Sequence, residues 1–149
     1  MIEVFHTKII GVPVQRLEPM TKPIVPKDKF KKPFVIHYPA KGQEAAQDRY
    51  RWEFKTAWAG KDIIDYPVLI SALFRYTMPV SWSKKKKAER IGTLKETKPD
   101  WDNLVKFLGD TLKGIVVVDD NLICGAAPSH GTFKVYSMEN STEVRLWKI

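Results

Sequence analysis

Apolar and polar residues alternate along residues 68–78: Val68, Ile70, Ala72, Phe74, Tyr76 and Met78 share one face, and Ser71, Arg75 and Thr77 the other. A period of two predicts a half-buried strand. Residues 4–10 form a second strand, stopped by Gly11-Val12-Pro13, and the short apolar run 115–118 reads as a buried one. Helical spacing takes over at residues 43–58, where Ala46, Tyr50, Phe54, Ala57 and Trp58 recur on one side and Gly60 supplies a stop. It returns at 102–113, with Leu104, Val105, Phe107, Leu108 and Leu112 on one arc and Asp102, Asn103, Lys106, Asp110 and Lys113 on the opposite one. Asp102 reads as the cap of that helix and Gly114 as its end, while Ser83 caps a short basic helix through Arg90. Residues 132–138 and 142–148, joined at Asn140-Ser141, read as a terminal hairpin, and 17–38, rich in Pro and Lys, as loop or irregular edge. The order is α+β, without internal repeats.

Composition bounds this picture. The 149 residues, 44% of them hydrophobic, suffice for one domain over 1–149. No apolar run reaches the roughly 18 residues of a membrane span, and the N-terminus lacks signal-peptide features, so a cytoplasmic protein with no membrane partner is expected. Cys124 is the single cysteine and His6, His37 and His130 are scattered, which excludes an internal disulfide and a zinc cluster. The net charge of +8 points to a polyanion. From 84 to 98, seven basic residues face only Glu89 and Glu96, and Lys22, Lys27, Lys29, Lys31 and Lys32 face only Asp28. A lysine run such as Lys84, Lys85, Lys86 and Lys87 is by base rate a solvated face. Beside Trp82 and upstream of an acidic cluster it reads as a phosphate-tracking surface, with Trp82 stacking on a base or, more ordinarily, packing.

The chemistry concentrates in Asp100-Trp101-Asp102-Asn103, Lys106 and Asp119-Asp120. Asp100 and Asp102 stand at the start of a helix, and Asp120 follows the 115–118 run. Their convergence would need a hard divalent ion bound by oxygen: magnesium, with manganese as the substitute. Such an ion activates water and neutralises a phosphodiester, and Lys106, one turn on, would hold a phosphate oxygen or stabilise developing charge. An Asp cap and Asp–Lys pairs four residues apart are also ordinary surface features. Phosphatases and sugar transferases place a DxD pair after an apolar strand, whereas Asp100 follows Lys95-Glu96-Thr97-Lys98-Pro99.

The string from Lys98 through Lys106, then Asp110-Thr111-Leu112-Lys113-Gly114, then Asp119-Asp120, resembles the signature of the RusA-type Holliday junction resolvases. Gly11-Val12-Pro13-Val14-Gln15-Arg16, the run from Pro79 to Lys87 and a lysine in the closing segment, Lys134, add to the likeness. The resemblance implies a small mixed β-sheet packed with helices and a homodimer, of the kind phages and prophages encode, that nicks two opposed strands of a four-way DNA junction. It implies Asp100, Asp102 and Asp120 as magnesium ligands and Lys106 as the catalytic lysine. Asp110, Asp119 and Asn103 take supporting parts, and Arg16, Trp82, Lys84 to Lys87 and Lys134 contact DNA. Two other readings stay open: a non-catalytic module for branched or single-stranded DNA, and a nuclease of the same fold acting on flaps or forks.

Overall fold

In the computed structural model, which describes Met1–Ile149, the chain order is β1 (Ile2–Ile10), β2 (Met20–Ile24), β3 (Phe34–Tyr38), α1 (Gln43–Ala57), β4 (Val68–Thr77), α2 (Lys84–Arg90), α3 (Trp101–Leu112), β5 (Ile123–Ala126), β6 (Thr132–Ser137) and β7 (Ser141–Lys148). The main sheet runs β1-β7-β4, with β5 and then β6 sharing the other edge of β4. β7 is antiparallel to both β1 and β4, whereas β5 and β6 are parallel to β4, so the sheet is mixed. β2 and β3 form a separate antiparallel pair.

The alternation in β4 works as expected: Val68, Ile70, Ala72, Phe74 and Tyr76 are all buried. They meet Tyr50, Phe54 and Trp58 of the α1 segment, Leu104, Phe107, Leu108 and Leu112 of α3, and Phe5, Ile9, Val144 and Leu146 of the flanking strands in one core cluster. The edge-to-face contact of Tyr50 with Phe107 locks α1 against α3. The opposite sheet face is polar. Glu143 there accepts from Arg75 (2.6 Å) and His6 (2.8 Å), and Arg145 reaches both Glu143 and Glu3 (3.3 Å each).

Four expectations change. Residues 115–118 are a tight turn, because Gly114 (φ +78°) folds the chain back and the N–H groups of Ile115, Val116 and Val117 all donate to Leu112 O. Val116 and Val117 are fully buried there, their backbones bonded to the turn and to Ile64 instead of a sheet. The closing segment is not a hairpin, since β6 and β7 pair with opposite edges of β4. Asn140 leads the chain around the end of β4, its Oδ1 accepting from Thr77 N (2.9 Å). Both edges of the most apolar strand are thereby covered. The stretch 17–38 contains the β2–β3 hairpin. Finally, Asp100 rather than Asp102 occupies the cap position of α3, without a side-chain capping bond. No helix is long and apolar enough to cross a membrane.

Candidate active site

The acids are positioned by α3 and by the turn that follows it. Trp101 fixes the start of α3, its Nε1 donating to Thr132 O on β6 (3.0 Å). Lys134, also on β6, donates to Thr97 O (2.8 Å) and Pro99 O (2.7 Å), so it holds the segment that ends in Asp100. Burial and the neighbouring charge of Lys95 pull the Lys134 ammonium below the usual lysine range. Asp100 is exposed and pairs with Lys98 at 2.9 Å, and that hydrogen bond and charge lower its carboxyl.

Along the polar face of α3, Asp102 lies 3.6 Å from Lys106 Nζ, the four-residue pair expected of a helix. A turn further, Lys106 lines a pocket of about 220 Å³ with Gly109, Asp110, Asp120, Arg16, Val105, Ile70 and Ile123. Asp120 stands over Gly109: a methyl group on that glycine would come 3.7 Å from Asp120 Cβ and 4.0 Å from its Oδ2. The carboxylate therefore lies against the helix at Gly109, with room for a methyl group there and no more. Asp119 and Asp120 are neighbouring carboxyls close enough to interact, and a hydrogen bond between them moves the two in opposite directions. This hydrogen bond raises Asp120, with burial and the charges of Asp119 and Asp110 adding to it, and lowers Asp119. Lys113, 3.9 Å from Asp119, partly offsets the repulsion. Arg16 closes the pocket, its Nε 3.6 Å from Asp110 Oδ2 and its backbone N–H donating to Asn103 O.

The sequence-predicted residues therefore fall in two groups on either side of Lys106. Asp100 and Asp102 occupy the start of α3, and Asp110, Asp119 and Asp120 gather near its end, about 12 Å along the axis for eight residues. No three Asp, Glu, His or Cys side chains come close enough to hold one metal ion. Asp100 and Asp102 are thus separated from Asp120 along α3, and Asp120 shares its pocket with Asp110. Gly109 and the Arg16–Asp110 pair escaped the sequence reading. A glycine inside an otherwise good helix, at a cost of about 1 kcal/mol against alanine, was the available signal.

The basic elements are solvent-facing. In α2, Lys84, Lys85 and Lys86 are exposed and Lys87 is half-buried, and Ser83 Oγ accepts from Lys86 N (3.1 Å) as the expected cap. Trp82 packs: its ring lies 5.1 Å from that of Tyr136, under the Lys86 ammonium at 4.3 Å. Lys95 and Lys98 continue this surface toward Asp100, around a groove lined also by Tyr76, Trp82 and Tyr136.

Among curated proteins, none matches the chain. The profile of the family described as Endodeoxyribonuclease RusA matches residues 17–147, which takes in both acid groups, Lys106, α2 and the whole sheet apart from β1 and the end of β7. The chain belongs to the RusA endodeoxyribonuclease family.

Proposed function

We propose that this endodeoxyribonuclease cuts branched DNA, resolving four-way junctions as a homodimer by paired nicks, with a divalent ion, magnesium or in its place manganese. The carrying observation is the polar face of α3, where Lys106 stands between Asp102 at 3.6 Å and the pocket of Asp110 and Asp120. A phosphodiester approaching this face meets carboxylates on both sides of a lysine that can hold a non-bridging oxygen. Arg16 and Lys113 are the further cations at the pocket end, and Lys98 at the Asp100 end. Without a cation the clustered acids repel the substrate, and the nearby charges of Asp119 and Asp110 add to the hydrogen bond and burial that raise the Asp120 carboxyl. That chemistry supports the ion requirement. Two-fold symmetry suits a substrate with two strands to cut.

The test is incubation of the protein with a four-way junction and with linear duplex, with magnesium or with chelator, beside Asp102→Asn and Asp120→Asn. Expected is junction nicking that chelator abolishes and each substitution lowers at least about a hundredfold, with binding retained. Binding without metal-dependent nicking would leave a non-catalytic DNA-binding module. Equal cutting of linear duplex would remove the branched substrate and keep the nuclease.

A further inference from the structure

The hairpin of β2 and β3 stands apart from the main sheet, and nine of its ten strand residues are exposed. Its apolar residues are unusually bare: Val25 and Phe30 at the turn are 77% and 86% exposed, and Phe34, Val35 and Tyr38 are also exposed. A lone two-stranded ribbon is marginally stable in water, and a bare apolar set of this density marks a contact surface. The same stretch carries Lys22, Lys27, Lys29, Lys31 and Lys32 against one acid, Asp28. Asp28 is engaged in shaping the tip, its Oδ1 accepting from Phe30 N (2.9 Å) and its carbonyl from Lys31 N (3.1 Å). The turn thereby presents the Phe30 ring outward, with the Lys29 ammonium 5.5 Å from its centre.

The occupant of this surface must offer dense negative charge and flat apolar faces together. Unpaired bases on a phosphate backbone do so. A second copy of this hairpin would bring the same lysines and repel. The root of the arm points to the same occupant: Leu17, Pro19, His37 and Tyr38 line a cavity of about 310 Å³ with Arg16 and Asp110, the pair that also walls the acid pocket. DNA held at that pocket lies at the foot of the arm.

We propose that the β2–β3 arm is a DNA-gripping finger whose lysines follow the phosphates while Phe30 stacks on a base left unpaired at the branch point. The inference rests on the branched-DNA reading above and adds to it the element that senses the branch. It is tested in the full chain with a photoreactive benzoylphenylalanine at position 30, irradiated on a four-way junction. Crosslinks within a few nucleotides of the crossover are expected. Phe30→Ala should lower the preference for junction over linear duplex by about five- to a hundredfold, and Phe30→Trp should restore it. The proposal is overturned if crosslinks fall only in the duplex arms or do not form, or if Phe30→Ala keeps the preference. It is overturned equally if Phe30→Ala converts a dimer into a monomer, which would make the arm a contact between copies. Crosslinking at the crossover through position 30, with a wild-type chain that never nicks, removes the nuclease reading and leaves the finger, and nicking by the wild type without the crosslink does the reverse.

Discussion

Lys134 supports the site through the backbone that carries it. Its ammonium is directed to Thr97 O and Pro99 O, the last carbonyls before Asp100. Lys134→Met should therefore cost about 1–3 kcal/mol of stability, measured by denaturant unfolding, and slow nicking, while the salt dependence of DNA binding stays that of the wild type. A shallower salt slope would instead mark Lys134 as a phosphate ligand. Gly109 makes the complementary point. An alanine methyl would meet Asp120 at ordinary van der Waals distance, so Gly109→Ala should fit and stabilise α3 by about 0.5–1 kcal/mol. Gly109→Leu has no such room. It should displace Asp120 and lower nicking at least about tenfold at unchanged junction affinity, and full activity in that variant would show that Asp120 need not lie against the helix.

Among the elements, α2 is the one whose sequence, cap and exposure all agree with a role on the surface. Lys84 is exposed, and Lys86 is exposed and makes only the ammonium contact with the Trp82 ring, so substitutions at these two report mainly on binding. Lys84→Ala with Lys86→Ala should weaken junction binding and flatten the slope of log K against log salt by up to about 1.8, roughly 0.9 for each phosphate that a lysine no longer neutralises. An unchanged slope would take the run off the DNA surface. Elements with a local signature were legible from residues alone: β4 from its alternation, α1 and α3 from their apolar arcs, α2 from Ser83 and the lysines behind it. What stayed hidden depends on partners distant in sequence. The run 115–118 is as apolar as a buried strand, yet the conformation of Gly114 and the bridge to Ile64 make it a turn. Strand patterns at 132–138 and 142–148 suggested that the two pair, but nothing local reveals that β4 offers each a separate edge. The acids followed the same rule. Asp102 and Lys106 are neighbours by helical arithmetic, whereas the pairing of Asp120 with Gly109 and Asp110 required the turn that the pattern concealed.

Across the whole molecule, the polar face of the sheet links stability to pH through Glu143. Burial pushes this carboxyl up, but hydrogen bonds from Arg75 and His6 and the charges of Arg75 and Arg145 outweigh it, holding Glu143 at about 2 against an ordinary 4.5. A carboxyl lowered by folding contributes stability that is complete above its unfolded value and is lost as pH falls from about 4.5 toward 2. The contribution is on the order of 3 kcal/mol. Glu143→Gln should thus lower the melting temperature at neutral pH and flatten its decline over that acid range. Parallel decline in both proteins would place the acid sensitivity elsewhere.

β7 lies between β1 and β4, contributing every hydrogen bond that joins the first strand to the centre of the sheet. Synthesis therefore delivers the outer strand long before the strand that connects it. Until residues 141–148 leave the ribosome, β1 and one side of β4 expose unpaired edges, and closure must wait for strands that lie far apart along the chain. A DNA-cutting chain built this way cannot close its sheet before residues 141–148 have been made.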